Sequence, residues 1–318
     1  MKIVALDTAV SDFDDLKWEI LSSLGEFSAF PRTTNLSIDE RAKDAQALIV
    51  NKVVLNREII SRLPALRYIG VCATGYNNVD IAAAQERGIA VTNVPGYSTA
   101  SVAQLVFAFI LEHYSRVSEH SEAVISGSWS NCPDFSFQTT PIRELAGKTI
   151  AVVGWGAIGQ AVGRIAEAFE MKVVATSVPG RTYQTCDICR VPFVEALASA
   201  DIVTLHCPLT DRTKELINSE SLGFMKKSAL LINTGRGPLI NEQALADALN
   251  SGQLAAAALD VLCQEPPGRD NPLLSAANVC ITPHIGWATR EARERLRQAV
   301  YNNLADYLAG KQTNRVDS

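Results

Sequence analysis

The chain has 318 residues, 47% of them hydrophobic and 20% charged, which is enough to fill the cores of two domains of ordinary size. A net charge of −5 without a long basic run argues against nucleic acid as the main partner, and no apolar stretch is long and uninterrupted enough to span a membrane. The start, MKIVALDTAV, carries one lysine and goes straight into a strand pattern, so no signal peptide is expected. The seven cysteines, most in apolar strand-like runs (Cys72, Cys207, Cys263, Cys280), read as reduced thiols of a cytoplasmic protein.

In chain order, the pattern predicts strands at Lys2 to Leu6, Ala47 to Val50, Tyr68 to Val71 and Ala90 to Thr92. Between them it predicts helices at Leu16 to Leu24, at Arg57 to Leu63 before Pro64, and at Val79 to Arg87 before Gly88. This βα alternation indicates a parallel α/β domain over the first hundred residues. Thr99 to Tyr114 is apolar almost all round and predicts a buried helix between two domains. Ser115 to Gly147 has poor periodicity and reads as an excursion from the compact fold.

Thr149 to Ser177 organises the rest. Ile150 to Val153 is a β-branched run, followed by Gly154, Gly156 and Gly159 in G-x-G-x-x-G spacing. Apolar residues from Ile158 to Phe169 then recur at helical intervals, and Lys172 to Ala175 is a second buried strand. Strand, glycine turn, helix and strand in about 30 residues make a dinucleotide-binding unit. Gly154 permits the tight turn, Gly156 lets backbone approach a pyrophosphate, and Gly159 lets helix and strand pack closely. The N–H groups at the helix start, from Ala157 and Ile158 on, face the phosphates. Further strands are predicted at Ile202 to Leu205, Ala229 to Asn233, Ala257 to Val261 and Val279 to Thr282. Helices near Leu216 to Phe224 and Glu242 to Ser251 complete a second doubly wound sheet. Ala288 to Leu308 is a last long helix, expected to return to the first domain.

Arg236, Glu265 and His284 follow three of these strands, and open α/β sheets bind ligands outside the carboxyl ends of their strands. An arginine there grips a carboxylate bidentately, and a histidine beside a carboxylate is a proton donor or acceptor near neutral pH. Hydride transfer from a nicotinamide to a ketone leaves an alkoxide that needs such a donor. Singly, each residue has an ordinary structural explanation; their joint placement favours chemistry. Cys186 and Cys189 form a C-x-x-C without a second ligand pair, so no metal is assigned. His113 and His120 read as solvated, His206 as structural, and Trp155 as packing near the phosphates.

Over essentially its whole length the sequence resembles the D-2-hydroxyacid dehydrogenase family. The matching stretches are ATGYNNVD (Ala73 to Asp80), the glycine unit, LHCPLT (Leu205 to Thr210), NTGRG (Asn233 to Gly237), ALDVL (Ala258 to Leu262), EPP (Glu265 to Pro267) and TPH (Thr282 to His284). Within the family it is most similar to the bacterial glycerate dehydrogenase or hydroxypyruvate reductase group, on VPGYSTASVAQ (Val94 to Gln104), NCPDFSF (Asn131 to Phe137) and HIGWATREARERL from His284. The resemblance implies two Rossmann-like doubly wound domains. One is a flavodoxin-like substrate domain of residues 1–98 and 286–318, the other an NAD(P)-binding domain of residues 99–285. It implies reduction of a short 2-keto acid, hydroxypyruvate or glyoxylate, to the D-2-hydroxy acid. His284 is then the acid/base, Glu265 its partner, and Arg236 the carboxylate ligand. Cys72, Ala73, Thr74 and Gly75 supply N–H donors to the substrate, and the Asn51-Lys52-Val53 loop lines the pocket. Gly154 to Gly159, Cys207, Pro208, Thr213, Thr234 and Asp260 contact the cofactor. A homodimer is implied, with the Trp129 to Phe137 segment reaching the partner.

Two positions depart from the family pattern. NAD-preferring relatives carry an acid at the end of the second strand; here Ser177 stands there, with Arg181 four residues on. That predicts that NADPH is accepted and preferred; the alternative is that Arg181 faces solvent and NADH is used with weak discrimination. Glu170 occupies a helix-ending position where glycine is common. Rival readings are a broad 2-ketoacid (D-lactate-type) reductase and a non-catalytic nucleotide-sensing interaction protein.

Overall fold

The computed structural model describes residues 1–13, 15–179 and 190–317, and these divide into two compact units, residues 1–98 with 287–318 and residues 99–286. The first unit carries five strands: β1 (Lys2–Ala5), β2 (Glu26–Ala29), β3 (Ala47–Val50), β4 (Tyr68–Val71) and β5 (Ala90–Thr92). Their spatial order is β2-β1-β3-β4-β5 and every pair is parallel, with Ile3 opposite Ala47 and Leu48 opposite Ile69. β3 and β4 are buried at every position, as unbroken apolar runs in a parallel sheet require. Ile59, Ile60, Ala83 and Ala84, from the short helices Arg57–Ser61 and Ile81–Glu86, cover one face. Leu296, Val300 and Leu304 of the Arg290–Leu308 helix cover the other, and the Tyr68 and Tyr307 rings lie 4.9 Å apart. The chain doubles back at β1, so the sheet has its switch point between β1 and β3, where the connections leave toward opposite faces.

The second unit holds β6 (Thr149–Val153), β7 (Lys172–Thr176), β8 (Arg190–Val191), β9 (Ile202–Leu205), β10 (Leu230–Asn233), β11 (Ala256–Leu259) and β12 (Val279–Ile281). Their order is β12-β11-β10-β9-β6-β7-β8, again all parallel. This is a dinucleotide-binding sheet with the reversal of order between β6 and β9. The Thr99–Ser115 helix lies on one face through Val106, Phe107 and Ile110, beside Val162 and Ala166 of the Ala157–Ala168 helix. Gly286 stays with this unit because Asp260 Oδ2 accepts its N–H at 2.8 Å and its carbonyl accepts the Ser101 hydroxyl at 2.5 Å. Among the described residues, no helix is long and apolar enough to cross a membrane.

Several elements differ from the sequence reading, each for a local reason. Leu16 to Leu24 is not a regular helix: a 3₁₀ turn at Glu19–Ser23 suffices to bury Leu21 before Gly25. The edge strand β2 is mostly exposed and gave no apolar run. The Val117–Ile125 helix within the supposed excursion buries no residue, so it has no core stripe to betray it. β8 and the Phe193–Ser199 helix were also missed, and β7 is buried only at Ala175 and Thr176 because its outer neighbour β8 is two residues long. The helix near Leu216 begins only at Ser219, capped by Asn218. Cys263 and Cys280 are exposed rather than buried, Cys280 lying on the edge strand β12.

Candidate active site

Three adjacent strands deliver the second unit's polar groups. Arg236 follows β10, Glu265 follows β11 and His284 follows β12. His284 Nδ1 lies 2.7 Å from Glu265 Oε2, both side chains being about a quarter to a third exposed (26% and 33%). Glu265 Oε1 also accepts the Leu262 N–H at 3.2 Å, and the Glu265–Pro266 bond is cis. His284 itself has φ 55°, a left-handed conformation uncommon outside glycine. Asp260, 2% exposed, holds that turn: its carboxylate accepts from Thr282 Oγ1 at 2.6 Å, Ile285 N at 2.8 Å and Gly286 N at 2.8 Å. Asp260, singled out from sequence as a cofactor contact, is thus occupied in bracing the loop that carries His284.

Arg236 is braced similarly. The fully buried Asn233 accepts the Gly235 N–H at 3.0 Å and donates to the Arg236 carbonyl at 2.8 Å. Gly237 lets this loop close on Leu262, since a Cβ would stand 2.0 Å from the Leu262 carbonyl. Glu242 fixes the other side, accepting from Cys263 N at 2.7 Å and Asn271 Nδ2 at 2.9 Å. Asn233 and Glu242 escaped the sequence reading. The signal for Asn233 was a polar residue closing the run LLIN.

The glycine loop fits a dinucleotide on its own geometry. Gly154, at φ 103°, would place a Cβ 2.6 Å from Cys207 N, and Gly159 would place one 2.2 Å from Gly154 O. These two are glycines because the chain packs on itself there. At Gly156 a Cβ meets nothing within 4 Å, so the room is kept at the start of the Ala157–Ala168 helix, where Ala157, Ile158 and Gly159 begin the N–H array. Thr234 Oγ1 is buried beyond β10 with no hydrogen-bond partner among the described residues, an orphan that a bound group would satisfy. A cavity of about 540 Å³ beyond β7 and β9 is lined by Val178, Pro179 and Pro208 and by the stretch from Thr210 to Thr213, which includes Asp211 and Arg212. Thr213 Oγ1 donates to the Pro208 carbonyl at 2.7 Å and so shapes this wall, while Cys207 is buried behind it. Ser177 closes β7, its N–H on the Val191 carbonyl at 3.1 Å. Arg181, Cys186 and Cys189 lie outside the described residues.

In the first unit the loops after β1, β3 and β4 are tied together. Asp7 accepts three consecutive N–H groups, from Asn51 at 2.8 Å, Lys52 at 2.5 Å and Val53 at 2.9 Å. Burial pushes its carboxyl above the ordinary carboxylate value against the pull of those donors. Asn78 Nδ2 donates to the carbonyls of Asn51 at 3.3 Å and Val53 at 3.0 Å. The Cys72 N–H is spent on the Val50 carbonyl at 2.7 Å, so Cys72 offers no donor; the N–H groups of Ala73, Thr74 and Gly75 donate to no other described residue. Asp7 also escaped the sequence reading, although an acid ending the run KIVAL was a visible sign.

The remaining polar residues resolve otherwise. His113 is half-buried, edge-on to Tyr114, and burial together with the Arg116 and Arg143 cations holds it down to about 4, which corrects its reading as solvated. His120 belongs to the next helix and sits 2.8 Å from the Arg116 carbonyl. Desolvation also holds His206 down to about 4, with Nε2 2.9 Å from Thr204 Oγ1. The Trp155 ring turns back onto the helix at Gly163 rather than to the phosphate side. Glu170 does adopt φ 56°. Among the described residues no group of three His, Cys, Asp or Glu side chains is arranged to hold a metal ion.

A parallel sheet with the reversed strand order, a glycine-lined helix start and a histidine–glutamate pair beyond the same sheet define a nicotinamide-dinucleotide-dependent dehydrogenase unit. The comparisons with known proteins agree. Residues 107–286 match the model of the D-isomer specific 2-hydroxyacid dehydrogenase NAD binding domain. The chain is 44% identical to a hydroxypyruvate reductase of Blautia hydrogenotrophica over 100% of both chains. It is 36% identical to a glycerate dehydrogenase of Methylorubrum extorquens over 92% of each. An acyclic imino acid reductase solved with NADPH and D-Arg superposes with a TM-score of 0.86 at 31% identity, over 99% of this chain and 100% of that one. The chain belongs to the D-isomer specific 2-hydroxyacid dehydrogenase family.

Proposed function

We propose that the protein reduces short 2-keto acids to D-2-hydroxy acids with NAD(P)H, hydroxypyruvate and glyoxylate being its leading substrates. The observation that carries this reading is the 2.7 Å contact between His284 Nδ1 and Glu265 Oε2 beyond β11 and β12, next to the Arg236 strand end. A bound nicotinamide supplies the hydride. His284, with Nδ1–H donated to Glu265, holds the transferable proton at Nε2 and delivers it to the substrate oxygen as the alkoxide develops. Glu265 orients the ring through the Nδ1 contact. Arg236 binds the substrate carboxylate through two N–H groups, and in the first unit Ala73, Thr74 and Gly75 offer the substrate N–H groups that donate to no other described residue. Thr234 Oγ1 and the Gly154 to Gly159 loop hold the dinucleotide, with Pro208 and Thr213 at its adenine end. The relatives named hydroxypyruvate reductase and glycerate dehydrogenase support the substrate class.

NADPH is the preferred cofactor in this reading, because Ser177 brings no carboxylate against a 2′-phosphate. A homodimer is part of it as well. The second unit exposes Val117, Ile125 and Phe135, and separately carries a largely apolar groove lined by Phe107, Leu111 and Ile165. The test is oxidation of NADPH and NADH, side by side, with hydroxypyruvate, glyoxylate, pyruvate and 2-ketoglutarate, using His284→Ala as control. Fast NADPH oxidation with hydroxypyruvate, lost in the variant, supports the proposal. Preference for pyruvate favours the D-lactate-type reading. No turnover despite nucleotide binding overturns catalysis in favour of a sensor.

A further inference from the structure

The switch point of the first unit's sheet lies between β1 and β3, and Asp7 and the Asn51–Val53 loop are the chain segments that leave those two strands. In open α/β sheets that crevice is where a ligand enters, because the neighbouring loops diverge there. Here they do not diverge freely. One carboxylate draws three successive N–H groups onto itself, using both oxygens, so the ionised form satisfies every donor. Asn78, from the loop after β4, holds the same segment by its carbonyls. Backbone polarity at residues 51–53 is consumed inward, Asn51 and Val53 are buried, and Lys52 remains exposed. Each N–H of this three-residue loop is thus fixed by one side chain from another strand's end.

We propose that Asp7 is a positioning residue for substrate binding: with Asn78 it locks the Asn51-Lys52-Val53 loop as a preformed wall of the keto-acid pocket. The inference rests on the keto-acid reductase reading above. Asp7 touches no reacting atom. It acts through the loop, by removing the ordering that the loop would otherwise undergo on each binding event. Its carboxylate is engaged by three amide dipoles.

The experiment compares wild type, Asp7→Asn and Asn78→Ala in steady-state hydroxypyruvate reduction. Alongside are measured NADPH affinity by fluorescence, melting temperature, and amide hydrogen exchange of residues 51–53. Expected for Asp7→Asn is a rise in KM of about tenfold, with kcat within about threefold of wild type, unchanged NADPH affinity, and faster exchange at Lys52 and Val53. Asn78→Ala shifts KM the same way by a smaller factor. An unchanged KM in Asp7→Asn overturns the proposal, as does a parallel loss of kcat, NADPH affinity and melting temperature, which marks a merely structural role. Should Asp7→Asn not fold, Asn78→Ala decides: a wild-type KM there overturns the proposal. A wild type that binds NADPH but reduces no 2-keto acid overturns the functional reading, and this inference with it.

Discussion

Asp260 is coupled to His284 through the residues on either side of it in the chain. The carboxylate of Asp260 receives the N–H groups of Ile285 and Gly286, immediately after His284, together with the Thr282 hydroxyl two residues before it. That grip is what sustains the left-handed φ of 55° at His284, a conformation that costs on the order of 1 kcal/mol or more for a non-glycine residue. The imidazole is thereby aimed so that Nδ1 meets Glu265 Oε2 at 2.7 Å.

Replacing Glu265 by Gln keeps the size of the side chain and removes the carboxylate that meets the ring at Nδ1. We expect kcat for hydroxypyruvate to fall about a hundredfold, the lower end of what a positioned acid/base contributes, with nucleotide affinity unchanged. Steady-state kinetics and a fluorescence titration with NADPH check this. Wild-type kcat in Glu265→Gln removes Glu265 from the chemistry.

At the cofactor's other end, Ser177→Asp restores a carboxylate at the close of β7. It repels a 2′-phosphate and can accept ribose hydroxyls, so the ratio of kcat/KM for NADH to that for NADPH is expected to rise by about tenfold or more. Parallel assays with the two cofactors give the ratio directly. If the variant leaves it unchanged, Ser177 does not face the ribose.

The strands with unbroken apolar sequence, ALIV, YIGV and IVTL, were legible to the residue because burial on both faces demands such runs. The glycine unit and the strand-end positions of Arg236, Glu265 and His284 were legible for the same reason: the strands fix where their loops emerge. What escaped is what pays no tax in apolar residues. β2 is an exposed edge, and the Val117–Ile125 helix buries nothing, so neither leaves a periodic trace. The supporting polar residues escaped too. Asp7 and Glu242 act on backbone N–H groups far along the chain, 44 residues away for Asp7 and Asn51 and 21 for Glu242 and Cys263, so a polar residue ending a strand run shows a position without its partner; Asn233 acts only two and three residues on, and its sole sign was the polar end of LLIN. Cys72 shows the opposite error, because a residue next to a matching motif can already have its N–H committed to the sheet.

His113 gives the protein a pH-dependent stability. Its folded value, about 4, lies below the ordinary 6.5, so between these the unfolded chain takes up a proton that the folded chain refuses. Stability from this residue is present above about pH 6.5 and is lost as pH falls toward 4. His206, also held near 4, acts with the same sign over the same window. Melting temperatures measured from pH 7 to pH 4 should therefore decline more steeply for wild type than for His113→Gln. Parallel slopes would mean that His113 is protonated in the folded protein.

The glycines of the 154–159 loop separate packing from binding. Gly159→Ala drives a methyl to 2.2 Å from the Gly154 carbonyl oxygen, a backbone atom that cannot yield without opening the strand–helix contact. The expected cost is about 3 kcal/mol or more, seen as a large drop in melting temperature. Gly156→Ala meets nothing within 4 Å, and its backbone, at φ −89° and ψ −165°, is open to alanine. Its melting temperature should match wild type or rise slightly, since alanine narrows the unfolded ensemble. Only in the presence of nucleotide should Gly156→Ala differ, because the methyl then occupies the space left for the pyrophosphate. NADPH affinity is expected to fall about tenfold or more while the apo protein stays stable. Equal NADPH affinity in Gly156→Ala and wild type would mean that the phosphates do not pass over Gly156, and the dinucleotide would have to lie elsewhere along the sheet.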